Sequence, residues 1–173
     1  NEPYSGNSYP AGPNLYEKEN LVIMSDGTGE VIIDLDNHYY GFIFSKHSYN
    51  NVIDGFKIQN GGYSLITSFN NSSNNIFRNC VFITKNGENY TYYSYYSGDD
   101  FVNCTFIGDG NNSTIYPFHT LPELTNCIVY NYDKFISSPF INNISASHSL
   151  IYQLGGTLPE GVGVIYEDPL FVD

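Results

Sequence analysis

The chain has 173 residues and a formal net charge of −12, from 6 Lys and Arg against 18 Asp and Glu. That charge repels nucleic acid and anionic lipid, so no nucleic-acid partner is expected. No apolar run reaches the roughly 20 residues of a membrane-spanning helix, and membrane insertion is not expected either. Seventeen Tyr and 12 Phe without any Trp, beside only 14% charged residues, leave solubility to Asn, Ser, Thr and Gly. Aromatic side chains suit pleated strands, and Asn and Gly suit their bends, so the composition favours β-structure within one domain.

Residues 1–20 carry Pro3, Pro10 and Pro13 among Gly, Asn and Ser, and are expected to be an irregular lead-in that covers the first coil. With Asn at position 1, any signal peptide or anchor is expected to lie outside this chain, which points to a secreted or cell-surface protein. Sequons at Asn71, Asn89, Asn112 and Asn143 would permit N-glycosylation in a host that performs it.

Residues 21–173 repeat. Phe77-Arg78-Asn79-Cys80-Val81-Phe82-Ile83, Phe101-Val102-Asn103-Cys104-Thr105-Phe106-Ile107 and Leu124-Thr125-Asn126-Cys127-Ile128-Val129-Tyr130 align with Cys spacings of 24 and 23. Steps of 25 residues upstream and 22 downstream bring Val52-Ile53-Asp54-Gly55 and Ala146-Ser147-His148-Ser149 into the same frame. Ile32-Ile33-Asp34-Leu35 lies 20 residues before the Asp54 unit. A period of this length marks a solenoid, and the short alternating apolar runs make its coils strands rather than helices. About six coils of 20–25 residues are expected.

In this frame Asp34, Asp54, Asn79, Asn103, Asn126 and His148 stack at a bend, where Asn and Asp tolerate left-handed backbone. The next position forms an inward column of Gly55, Cys80, Cys104, Cys127 and Ser149, with Cys as a small hydrophobe. Phe77, Phe101 and Leu124, with Phe82, Phe106, Val129 and Ile151, are expected to fill the interior. Three Cys one coil apart read as a buried stack of free thiols, because zinc motifs place their Cys pairs much closer.

With Asn51-Val52-Ile53-Asp54-Gly55-Phe56-Lys57-Ile58-Gln59-Asn60-Gly61, the Asn-Cys units and the ending Asp168-Pro169-Leu170-Phe171-Val172-Asp173, the chain resembles the right-handed parallel β-helix repeat proteins. These include pectate-lyase-like enzymes and adhesin-like surface proteins of archaea and bacteria. The resemblance implies the fold, all-β and solenoidal, but spans many activities.

Two functions remain open. An enzyme acting on polysaccharide, a lyase or glycoside hydrolase with a groove along one strand face, would draw on Asp34, Asp54, Asp99, Asp100 and His119. Stacked Asp34 and Asp54 would split their pKa values for acid and base work. Yet a lyase would place Ca²⁺ carboxylates beside an Arg or Lys base, and a polygalacturonase-like hydrolase would need Asp on consecutive coils. Asn, Thr and Val stand there instead. The favoured reading is therefore a non-catalytic structural or adhesive protein whose partners are polysaccharide or other cell-surface components. Tyr92, Tyr93, Tyr95 and Tyr96 are its candidate sugar-stacking residues. No cofactor is required, and the one cation considered is Ca²⁺, on oxygens that Asp99, Asp100, Asp109 and Asn111 are expected to place on turns of neighbouring coils. Unpaired strand edges at the solenoid ends would allow homo-oligomers by end-to-end stacking.

Overall fold

The computed structural model describes residues 13–27, 29–85, 90–118, 120, 122–136, 145–155, 158 and 160–170. The chain winds through three parallel sheets in turn, laying one strand in each sheet on every passage. The passages are β1 (Asn14–Tyr16), β2 (Val22–Met24) and β3 (Val31–Asp34); β4 (Tyr40–Ser45), β5 (Val52–Asp54) and β6 (Phe56–Gln59); and β7 (Ser64–Phe69), β8 (Ser73–Arg78) and β9 (Val81–Ile83). Then follow β10 (Tyr90–Tyr95), β11 (Gly98–Val102) and β12 (Thr105–Ile107); β13 (Ser113–Phe118), β14 (Glu123–Thr125) and β15 (Ile128–Tyr132); and β16 (Lys134–Ile136), β17 (Ser145–Ser147) and β18 (Leu150–Gln153). Sheet A is β1-β4-β7-β10-β13-β16, sheet B runs from β2 to β17 and sheet C from β3 to β18, each of six strands. The protein is a parallel β-solenoid, with no helix among the described residues.

Period-2 alternation explains the interior. Sheet B sends Ile53, Phe77, Phe101 and Leu124 inward, and sheet C sends Ile58, Phe82, Phe106 and Val129, all with no exposed surface. Phe42, Ile66, Tyr92 and Ile115 close the interior from sheet A. Phe101 stacks on Phe77 at 5.3 Å and meets Phe82, Phe106 and Tyr92 edge-on, so the aromatic core runs through all three walls.

At the corner between sheets B and C the repeat is one residue out of the expected frame in its first passages. Gly55, Asn79, Asn103, Asn126 and His148 each have positive φ and each donate a backbone N–H to the following passage. Asp54 lies opposite Arg78, 24 residues on, so Gly55 occupies the corner and Phe56 precedes the cysteines in their column. Asp34 is not in this column at all: it ends a sheet C strand and faces Gln59, while Met24 stands opposite Asp54. The first passage carries extra residues between β2 and β3, which defeats a fixed repeat length. It also begins at Asn14, inside the stretch expected to be irregular, since β1 already pairs with β4.

The ladder of side chains nevertheless forms. Asn126 donates Nδ2–H to Asn103 Oδ1 at 2.6 Å, Asn103 to Asn79 at 3.4 Å, and Asn79 to Asp54 Oδ1 at 2.8 Å. Asp54 ends it as acceptor and takes Arg78 Nε–H on its other oxygen at 2.8 Å. Asn103→Ala is expected to cost about 2 kcal/mol, split between lost hydrogen bonds and alanine in left-handed backbone. Asn103→Gly, which relieves only the backbone part, should fall about midway. Urea midpoints for both variants check this; an alanine variant as stable as the parent chain would show the ladder to be ornamental.

One position on, Cys80, Cys104 and Cys127 are buried free thiols. Each thiol has two carbonyls within reach of its S–H, one in the passage before, at Ile53, Phe77 and Phe101, and one two residues back, at Arg78, Val102 and Thr125. Burial drives the Cys104 thiol far above its ordinary range, so it stays protonated. At the far end, Ile165 bridges Leu150, and Val162 accepts the His148 N–H, which covers part of the last strand edges.

Candidate functional site

The carboxylates expected to serve an enzyme do not converge. Asp34 accepts Gln59 Nε2–H at 3.1 Å, Asn60 Nδ2–H at 2.6 Å and the Asp36 N–H at 3.0 Å; these bonds, led by that backbone donor, hold its pKa below the usual value. Asp54 is held by Asn79 and Arg78 in sheet B, so the Asp34–Asp54 pair expected from the repeat does not exist. His119 lies outside the described residues.

Asp99 is a correction of another kind. Expected on a turn, it is fully buried, because β11 starts at Gly98 and alternation back from Phe101 points it inward. It ends an internal ladder: Asn51 donates Nδ2–H to Asn75 Oδ1 at 2.8 Å, and Asn75 donates Nδ2–H to Asp99 Oδ1 at 2.8 Å. Tyr92 gives its hydroxyl proton to Asp99 Oδ2 at 3.0 Å. Burial raises the Asp99 pKa to about 6 despite these donors. Asp100 points out of sheet B opposite Glu123; partial burial, then that neighbouring charge, raises its pKa.

The oxygens proposed for Ca²⁺ are therefore dispersed, with Asp99 inside, Asp100 on sheet B, and Asp109 and Asn111 on the turn after β12, where Asp109 Oδ1 accepts the Asn111 N–H. Among the described residues no three His, Cys, Asp or Glu gather so as to hold a metal ion. Of the sequons, Asn71 is exposed, whereas Asn112 is buried and donates to the Lys85 carbonyl, so its side chain is not open to a glycan. Asn89 and Asn143 lie outside the described residues.

The tyrosines gather instead. Tyr92 points inward, which removes it from the sugar-stacking set, but Tyr93 belongs to a continuous array on the outer face of sheet A. Tyr39 stacks on Tyr63 at 4.9 Å, and Tyr93 stacks on Tyr116 at 5.4 Å. Tyr63 meets Tyr90 and Tyr93 edge-on, Tyr90 packs on Tyr116, and Phe69 joins Tyr93 to Tyr40. In register Ser64 lies between Tyr40 and Tyr90, and Thr67 beside Tyr93, both without exposed surface. Burial first, then the neighbouring phenols, push the Tyr63 pKa up, so this phenol at the centre of the array is uncharged near neutral pH.

Tyr95 lies in register with Phe69, and Tyr96 follows it at the edge where sheet A turns towards sheet B. There the ends of four successive passages, Glu17, Lys46 with His47, Asn70 with Asn71, and Tyr95 with Tyr96, line a cleft of about 530 Å³. Tyr39 and Tyr96, 39% and 44% exposed, mark opposite edges of the face. The looser strand of each coil already carries Tyr39-Tyr40, Tyr63, the Tyr90–Tyr96 run and Tyr116 in the sequence; which of these rings meet is set by the register of sheet A.

No family model, curated protein or solved structure matches this chain. The fold and the face together define its class, a parallel β-solenoid with an aromatic outer sheet.

Proposed function

We propose that the chain is a non-catalytic, adhesive β-solenoid of the cell surface or extracellular space that holds polysaccharide on the outer face of sheet A. The observation that carries this reading is the connected tyrosine array, since phenol rings offer apolar contact and a hydroxyl edge to a sugar. Strands paired on both sides hold those rings with little freedom, which lowers the ordering cost of binding. The separation of Asp34, Asp54, Asp99 and Asp100 supports a role without catalysis, and the net charge of −12 favours neutral glycans over polyanions.

Affinity gel electrophoresis against neutral and uronic-acid polysaccharides tests the proposal. The chain is expected to be retarded by at least one neutral polymer, and Tyr39→Ala with Tyr93→Ala to weaken retention by about tenfold. Retention by none of the polymers would overturn it. Release of reducing ends or unsaturated products from the retained polymer would restore the enzymatic alternative.

A further inference from the structure

We infer that the cleft at the sheet A–sheet B corner is a discrete subsite for one or two neutral sugar residues of a glycan, the anchoring end of the tyrosine face. This rests on the glycan-binding reading above and adds a place and a ligand class to it.

The two corners of the solenoid use the same backbone device with different chemistry. Where sheet B turns to sheet C, Gly55 and the column of asparagines occupy left-handed positions, and the asparagines bond to one another. Where sheet A turns to sheet B, Asn20, Asn50, Asn70, Asn71 and Asn74 again take left-handed positions, but so do Glu17 (φ 50), Lys46 (φ 47), His47 (φ 65) and Tyr96 (φ 53). Glycine or asparagine would take that conformation at least cost, yet a carboxylate, an ammonium, an imidazole and a phenol stand there. Such residues in strained backbone cluster where a site needs their side chains aimed.

They line an open cleft of suitable size. About 530 Å³ falls within the roughly 300–1,000 Å³ of small-molecule sites. Its walls combine ring surface from Tyr95 and Tyr96, set edge-to-face at 4.7 Å, with the amides of Asn70 and Asn71 and the Glu17 carboxylate. Planar amides and a carboxylate beside an aromatic ring are the groups that bind vicinal hydroxyls on a pyranose while the ring takes its apolar side.

Charge selects the class. Glu17 and Lys46 oppose each other in sign within the cleft, and the Lys46 ammonium lies over the Tyr16 ring, 5.1 Å from its centroid. The His47 Nδ1 and the Tyr49 hydroxyl are 2.8 Å apart, which fixes the imidazole. A locally balanced site on a strongly acidic chain gives an anionic sugar little to gain.

Isothermal titration with short neutral gluco-, manno- and xylo-oligosaccharides, and with uronic-acid oligosaccharides of matched length, tests this. One neutral series should bind, and Tyr96→Asn, which keeps a residue at ease in left-handed backbone, should weaken it by about tenfold or more. Glu17→Gln should weaken it similarly, while Ile32→Thr on the outer face of sheet C leaves it unchanged. Neutral oligosaccharides that bind both cleft variants as well as the parent chain would overturn the cleft and leave the tyrosine face standing. Polysaccharide retention without any oligosaccharide binding would do the same. Preference for uronic-acid ligands would overturn the ligand class, and failure of polysaccharide and oligosaccharide alike would remove both readings.

Discussion

Phe101→Ala is expected to lower the unfolding free energy by about 3–5 kcal/mol, the usual cost of emptying a large aromatic site. Phe101 has no exposed surface and packs against Phe77, Phe82, Tyr92 and Phe106, so its loss opens a cavity bounded by all three sheets. Those neighbours belong to strands locked in parallel register, which resists collapse into the void. A solenoid's stability is close to a sum over passages and their interfaces, and β11 sits on two such interfaces. With natural domains at about 5–15 kcal/mol in total, the variant should be largely intact in water but unfold at much lower urea. Tyr92→Phe, which keeps the ring and removes the hydroxyl that donates to Asp99, should cost about 1 kcal/mol. Chemical denaturation of both variants measures the difference, and similar midpoints would mean that the aromatic column is not the main source of cohesion.

The core was legible because it repeats in both chemistry and spacing. Asn-Cys units at 24 and 23 residues place Phe77, Phe101 and Leu124 in one wall and Phe82, Phe106 and Val129 in the next, and the structure puts them there. Sheet A was not legible in the same way. Thr91 and Tyr92 are consecutive yet both buried, Thr91 on the Tyr132 hydroxyl and Tyr92 on Asp99, so simple alternation back from Tyr92 assigns Tyr90 to the wrong side. The tyrosine face depends on pairing between passages of unequal length, which no single stretch of sequence reveals. The Asp34 error has the same origin, because a fixed repeat cannot see the extra residues between β2 and β3. The internal ladder, by contrast, could have been found: Asn51, Asn75 and Asp99 stand two residues before Ile53, Phe77 and Phe101, on the inward side of three successive passages. Gly98-Asp99-Asp100 looks like a turn, and that local resemblance outweighed the period.

Asp99→Asn should stabilise the protein near neutral pH and flatten its pH dependence. The Asp99 pKa rises from 3.8 to about 6 on folding, with burial as the largest cause. At pH below about 3.8 the carboxyl is protonated in folded and unfolded chains alike and costs nothing. As pH climbs from there to about 6 the unfolded chain ionises while the folded one does not, and stability falls; above about 6 the full penalty is present. At about 1.4 kcal/mol per unit this amounts to about 3 kcal/mol at neutral pH. Asparagine at position 99 keeps an oxygen for the Asn75 amide, and its new Nδ2–H can donate to the Tyr92 hydroxyl oxygen. The Tyr92 proton then needs an acceptor, and Ser68 Oγ, buried beside Tyr92 and Asp99, can supply one. Urea midpoints of the parent chain and Asp99→Asn, measured between about pH 4 and pH 7, should converge at the acid end and separate by up to about 3 kcal/mol at the other. Parallel curves would show that Asp99 ionises in the folded protein as freely as in the unfolded one, and that the ladder from Asn51 and Asn75 offsets the whole cost of burying its charge.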